Sequence, residues 1–396
     1  MLHNSAICPD TFLVTPARRV ESVQEYYFSV KLKEIAQMNA AGANVINLGI
    51  GSPDLPPSGE TIRTLSENAA LENVHGYQSY VGIPELRNGF AGWYREYYGV
   101  ELNPADDILP LLGSKEGIMH ISLAFLNEGD SVLVPNPGYP TYASVSKLAG
   151  AHIISYALRE ENDWYPNLEE LEAENAAGKI SLERVKLMWC NYPNMPTGAN
   201  GSTELFEKLV AFGRKHSIVI CHDNPYSFIL NETPLSILSV PGAKEVCIEL
   251  NSMSKAFNMP GWRVGMVASN KQFIEWILRI KSNMDSGMFR PVQLAAAEAL
   301  RSPRSWYAGM NEVYGKRRAL ATAIMEKVGA VVRPGQVGLF LWGKVEGDGR
   351  EICDGVLYQS KVFITPGFIF GSEGEKYIRI SLCANEKMLE EALSRL

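Results

Sequence analysis

TELFEKLVAFGRKHSIVICHD, residues 203–223, runs a helix pattern directly into a strand pattern. Through His216, apolar positions such as Leu205, Phe206, Leu209, Val210 and Phe212 recur at helical spacing among charged ones. Ile218 to Cys221 are then apolar without a break, and the run ends on His222 and Asp223. A strand with no polar alternation is buried on both faces, as in a parallel sheet covered by helices. The same rhythm continues on both sides. SVLVP (131–135), HIISYA (152–157), VKLMWC (185–190), EVCIEL (245–250) and VGMVAS (264–269) read as strands. KEGIMHISLAFL (115–126) and KQFIEWILRIKSNM (271–284) read as accompanying helices. This alternation predicts an α/β fold: a mainly parallel central sheet with helices on both faces.

Outside that block the pattern changes. Residues 20–41 read as a helix with Gly42 just past its end, and NVINLGIG (44–51) as a strand entering a Gly/Pro loop. After about residue 290, helical stretches at 291–301 and 303–328 precede VGLFLWGKV, KVFITPG and KYIRISLC, a smaller α+β domain. The expected division is 1–47 as N-terminal arm and first part of the small domain, 48–285 as large domain, and 286–396 as C-terminal small domain.

Composition narrows the function classes. The 396 residues are 46% hydrophobic and 20% charged, which excludes a disordered chain, a collagen-like fibre and a small disulfide scaffold. Lys plus Arg is 37 against 44 Asp plus Glu, net −7, so nucleic acid is not an expected partner. Cysteines at 8, 190, 221, 247, 353 and 383 form no CxxC pair, and read as buried free thiols of a reducing, cytoplasmic compartment. The six histidines show no zinc spacing and no metal is expected; His222 reads as a packed strand-end side chain. No apolar run reaches membrane-spanning length, and MLHNSAICPDTF lacks the basic and apolar regions of a secretory signal. Ser394-Arg395-Leu396 resembles a peroxisomal address but also completes the helical pattern EKMLEEALSRL.

In an open parallel sheet, ligands bind beyond the carboxyl ends of the strands. The most informative segment there is ELNSMSKAFNMPGWRVG (249–265). Lys255 follows a strand, flanked by Ser252 and Ser254, with Arg263 eight residues on. A desolvated lysine near other cations has a lowered pKa and can form a Schiff base, while hydroxyls and a guanidinium suit a phosphate dianion. Asp223 ends a strand, where it could simply cap a turn, and Tyr226 follows three residues later. Gly113-Ser114-Lys115 opens a helix, whose free N–H groups attract phosphate.

S-x-S-K followed by G-W-R-x-G resembles the lysine signature of the class I/II aminotransferases, fold-type-I enzymes of pyridoxal 5′-phosphate. The similarity runs from NLGIGSPD to YIRISLC. It implies Lys255 as Schiff-base lysine and general acid/base, with Ser252 and Arg263 on the cofactor phosphate. It implies Asp223 on the pyridine nitrogen, Tyr226 on the ring's phenolate oxygen, and Tyr139, in NPGYPTY, stacked on the ring. Gly113, Ser114 and Lys115 would give backbone N–H groups to the phosphate. Arg379, in KYIRISLC, would grip the substrate α-carboxylate, with the Gly51 backbone approaching the same group. Tyr77 matches a tyrosine that reaches the phosphate of a partner subunit, which implies a homodimer. NYPNMPTGA (191–199) departs from the family's Asn-Pro-Thr-Gly: Met195 stands before Pro196, and Asn194 comes one earlier. A thioether donates no hydrogen bond, so either Asn194 supplies the phenolate contact through a shifted loop, or Tyr226 carries it alone. Arg290 has no positional match and could select a second carboxylate.

The resemblance implies an aminotransferase moving an amino group between an α-amino acid and a 2-oxo acid by a ping-pong mechanism. EYYFSVKL, SPDLPP, GSKEGI and SNMDSGMF resemble enzymes near LL-diaminopimelate aminotransferase, and equally broad-specificity aspartate-type enzymes. The nearest rival keeps the cofactor but cleaves a C–S bond by β-elimination, or closes a ring to aminocyclopropane carboxylate. A dinucleotide-binding reading of LGIGSPD lacks the third glycine and a following helix. A regulatory module on the same fold would add a DNA-binding segment, which is not expected before residue 44.

Overall fold

Ser202 caps the helix Thr203–His216, its hydroxyl accepting the Leu205 N–H at 3.1 Å. Ser217, at φ 56°, turns the chain out of the helix and into the strand Val219–Asp223. The computed structural model describes residues 14–396 except 24 and 26. Cys8 and the MLHNSAICPDTF start lie outside the described residues. In chain order the strands are Ile46–Asn47 (β1), Ile108–Leu111 (β2), Ser131–Asn136 (β3), His152–Ala157 (β4), Val185–Asn191 (β5), Val219–Asp223 (β6), Cys247–Ser252 (β7), Gly265–Ala268 (β8), Val331–Val332 (β9), Phe340–Lys344 (β10), Val362–Phe363 (β11), Thr365–Pro366 (β12) and Tyr377–Ser381 (β13).

The central sheet has the order β2-β8-β7-β6-β5-β3-β4. β3 to β7 pair in parallel, and β8 runs antiparallel to both β7 and β2. Successive residues of β5 feed opposite cores: Leu187 and Trp189 on one face, Met188 and Cys190 on the other. Burial on both faces is why these strands show no polar alternation. Each such aliphatic side chain contributes roughly 1.5–3 kcal/mol of transfer free energy.

Three expectations change. VGMVAS is antiparallel, because the short 253–264 connection returns the chain without a crossover helix. β2, which carries Pro110 and is not among the expected strands, is an edge strand paired only with β8, where a missing N–H is tolerated. NVINLGIG is a strand only at Ile46–Asn47, which pairs in parallel with Val362–Phe363. The 20–41 helix is likewise two pieces, Arg18–Glu21 and Tyr27–Ala40, the second ending before Gly42 at φ 87°.

The C-terminal strands form an antiparallel sheet, β12-β13-β10-β9. Helices Arg290–Ala299 and Arg304–Lys327 precede it, and Glu386–Arg395 ends the chain, with Arg395 donating to Asn44 O at 2.8 Å. Five cysteines, 190, 221, 247, 353 and 383, are free and buried. Among the described residues no helix is long and apolar enough to cross a membrane.

Candidate active site

A cavity of about 420 Å³ opens at the carboxyl ends of β5, β6 and β7 and is walled on its far side by β10 and β13. Lys255, Asp223, Tyr226, Ser252, Arg263 and Arg379 all line it. Ser114, Lys115, Tyr139 and Gly51 line it too.

Lys255 lies in the one-turn helix Met253–Ala256, which Ser252 caps through the Ser254 N–H. Its Nζ donates to Gly51 O. Burial holds the ammonium below the usual lysine range; the nearby Cys383 thiol opposes this, and the Arg379 and Arg263 guanidinia push the same way as burial. An amine with a depressed pKa is a better nucleophile and proton carrier at neutral pH.

Asp223, at the end of β6, is 5% exposed. Burial pushes its carboxyl up to about 6, while the hydrogen bond from Tyr142 Oη to Oδ2 (2.8 Å) and the neighbouring His222 pull it down. Oδ1 has no hydrogen-bond partner among the described residues. A buried carboxylate oxygen facing a cavity, with nothing donating to it, suits a protonated ring nitrogen of a bound ligand. Tyr226 is pushed well above the ordinary phenol value by burial, with Asp223 adding to it, so it stays a donor.

The anion end is built from backbone. Gly113, at φ 88°, starts the helix Ser114–Phe125, and any side chain there would run into the Arg263 guanidinium. Gly113 itself does not line the cavity; it leaves room for the arginine that does. Arg263 has a left-handed backbone (φ 57°) and donates to Pro260 O at 2.9 Å. A Cβ at Gly265 would meet Ser114 N at 2.8 Å, so this glycine keeps the turn's amides free. Free helix N-terminal amides, two serine hydroxyls and a guanidinium form a donor set for a phosphate dianion. With Lys255 and the unpaired Asp223 oxygen beside it, the cavity fits pyridoxal 5′-phosphate.

Arg379, on β13, is 4% exposed. Its Nη2 donates to Gly49 O at 2.7 Å, Nη1 lies 3.1 Å from Met195 Sδ, and its face packs on the rings of Phe340 (4.0 Å) and Phe370 (4.6 Å). A Cβ at Gly51 would strike the Phe340 ring, so that position has no room for a side chain.

Three candidates lie apart. Asn194 is turned into its own loop: Oδ1 accepts from Thr197 N and Oγ1 (3.2 and 2.7 Å), and Nδ2 donates to Asn191 O (3.1 Å). Met195 lines the cavity in its stead. Tyr77 is 93% exposed, and Arg290 pairs with Glu85 at 3.1 Å; neither reaches the cavity. His222 is fully buried, Nδ1 on Glu249 and Nε2 on Tyr192 O, both at 2.9 Å.

Several lining residues were not anticipated. Tyr142 was signalled by its place one helical turn after Tyr139 in NPGYPTY; the two rings meet edge to face at 5.6 Å. Asn191 binds Asp223 O (2.6 Å) and Met195 N (2.7 Å), holding strand end and loop together. Phe28, Phe340 and Phe370 come from distant segments and carry no local signal.

The family of aminotransferases of class I and II matches residues 43–396. The LL-diaminopimelate aminotransferase of Oleidesulfovibrio alaskensis is 40% identical over 387 residues, covering 96% of this chain and 98% of that protein. The enzyme of the same name from Halothermothrix orenii is 40% identical over 384 residues, covering 96% and 97%. A substrate-bound structure of BacF from Bacillus subtilis superposes with a TM-score of 0.90 at 33% identity, covering 97% of each chain. Identity at this level over nearly the whole length reflects common descent as well as shared architecture, and the chain belongs to the class I and II aminotransferases, enzymes that work with pyridoxal 5′-phosphate.

Proposed function

We propose that this aminotransferase takes its amino group from LL-diaminopimelate, with Lys255 carrying the proton. The observation that carries the catalytic reading is the meeting, around one cavity, of Lys255, Arg263, Arg379 and an Asp223 oxygen without a hydrogen-bond partner. Two things support the donor: relatives 40% identical bear that name, and Lys115 lines the cavity with no ion-pair partner among the described residues, where a second carboxylate would suit it.

Bound pyridoxal phosphate supplies an electron-withdrawing ring that spreads the charge left by removal of the α-proton. Asp223 holds the proton on the ring nitrogen. Tyr226 donates to the phenolate oxygen, and Tyr139 packs on the ring. Ser252, Arg263 and the 113–115 amides grip the phosphate. Arg379 orients the α-carboxylate, and Gly51 keeps the adjoining space open. Lys255 Nζ would bond to the cofactor at rest and, once free, would take the substrate α-proton as general base and give it back as general acid. Water would supply the oxygen of the oxo acid released, the nitrogen staying behind, and a second oxo acid would take up that nitrogen and return the water.

The division into a smaller unit of 1–47 with 286–396 and a larger one of 48–285 is supported, among the described residues, by the β1–β11 pairing, which joins the N-terminal segment to the C-terminal one. A homodimer is supported by Tyr77, Tyr80, Met284 and Phe289, large apolar side chains exposed near one another, with His75 stacked on Phe289. Five buried free thiols support a cytoplasmic location.

Conversion of the enzyme's cofactor to its amine form is followed by absorbance with LL-diaminopimelate, aspartate, alanine, methionine and phenylalanine as donors. LL-diaminopimelate is expected to give the highest rate constant over KM, and Lys255→Ala to bind cofactor without turning over. A different best donor overturns the substrate; a Lys255→Ala enzyme that still turns over overturns the proton carrier.

A further inference from the structure

Behind the 113–115 turn lies a buried polar cluster that the proposed cycle does not use. Glu116, His120 and Asp285 bring one nitrogen or oxygen each within 4.8 Å of one another. Glu116 Oε2 accepts the Leu112 N–H at 2.8 Å, immediately before Gly113. Its Oε1 stands 3.3 Å from His120 Nε2. His120 is 1% exposed, and its Nδ1 has no hydrogen-bond partner among the described residues. Asp285 pairs with Lys281 Nζ at 2.8 Å, both side chains being buried. Lys281 Nζ also donates to Tyr80 O (3.1 Å), and Asp285 Oδ1 accepts the Gly287 N–H (3.2 Å). Gly287 packs so closely that a Cβ would meet Gln78 O at 2.6 Å and Ser79 O at 2.8 Å.

Three ligand types at this spacing suggest a cation. The cation is already present, because the Lys281 ammonium sits on Asp285, and a divalent ion there would face it. None of the four side chains lines the cavity. What they connect is more telling. One end of the cluster holds a backbone amide of the phosphate turn, and the other holds the backbone of residues 78–80, which follow Tyr77.

We propose that Glu116, His120, Asp285 and Lys281 form a strut that fixes the shape of the phosphate turn, and that Glu116 and His120 are positioning residues for cofactor phosphate. Glu116 pins the turn through Leu112. His120 keeps Glu116 from swinging away, and the Asp285–Lys281 pair braces His120 against the 78–80 segment. The strut rests on the reading that the 113–115 amides bind phosphate.

The test compares two ligands of the cofactor-free protein: pyridoxal 5′-phosphate, and pyridoxal, which lacks the phosphate. Glu116→Ala is expected to raise the dissociation constant for pyridoxal phosphate about tenfold, the size of one lost hydrogen bond to a charged group. Its constant for pyridoxal stays unchanged. Glu116→Gln, which keeps an oxygen for the Leu112 N–H, restores most of the affinity. His120→Phe, which preserves the ring's bulk, shows the same phosphate-selective loss. Equal losses for both ligands, or no loss in Glu116→Ala and His120→Phe, would overturn the strut. A wild-type protein that binds the two ligands alike would instead overturn the phosphate reading of the turn, and the strut with it.

Discussion

Asp223 shows how a single residue trades stability for chemistry. Its carboxyl, pushed by burial to about 6 from an ordinary 3.8, makes the cofactor-free fold favour the protonated form. A raised folded pKa contributes stability that is complete below 3.8 and is lost as pH rises through about 6. At pH 8 the ionised, unpaired oxygen therefore costs about 3 kcal/mol. Cofactor-free Asp223→Asn should melt above the wild type at pH 8, with the gain gone by pH 4 in calorimetry; a variant melting lower at pH 8 would refute this. Met195 raises a second question of charge. Asn191 donates to Asp223 O on β6 and Asn194 to Asn191 O, so neither amide is free, and in the proposed binding mode Tyr226 is the phenolate donor on this side. A second donor would stabilise the phenolate once the proton shared with Lys255 Nζ has gone. Met195→Asn should then lower, by about one unit, the pH at which the bound cofactor's absorbance titrates. An unmoved titration would mean that the new amide turns away or that another donor already serves.

At the scale of elements, β6 and β7 are tied by a buried contact between His222 and Glu249 at 2.9 Å. Glu249, fully buried on β7, accepts from Tyr94 Oη (2.7 Å), from Ser236 Oγ (2.9 Å) and from the Ile237 N–H (3.0 Å). His222 on β6 places Nδ1 on the Glu249 carboxyl and Nε2 on Tyr192 O, both at 2.9 Å. Removing Glu249 leaves Tyr94 Oη, Ser236 Oγ, the Ile237 N–H and His222 Nδ1 buried without their partner, at a cost of about 3–5 kcal/mol. Glu249→Ala should lower the unfolding free energy from urea titration by that amount without changing the slope; a loss below about 1 kcal/mol would show the contact to be neutral.

For the whole molecule, the exposed apolar group around Tyr77 and Phe289 predicts association. Sedimentation equilibrium at micromolar concentration should give the mass of two chains; a fully active single chain would rule the dimer out. The same scale separates what the amino-acid order determined from what only folding decided. Continuous apolar strands alternating with amphipathic helices were enough for the layered parallel sheet, because burial on both faces removes polar alternation. The Lys255 segment, the Asp223 strand end and the Gly113 turn were legible too, since each is a local arrangement of a few residues that positions its own reactive group. Strand direction was not: the reversal of β8 depends on how the 253–264 connection returns, and the edge position of β2 on what lies beside Pro110. Nor was the Arg379 wall, where Phe340, Phe370, Gly49 and Met195 meet from four separate stretches of chain. Asn194 and Met195 are neighbours that sequence alone could not assign. The hydrogen bonds of one loop chose between them, because an amide satisfied within its own turn has nothing left to offer the cavity.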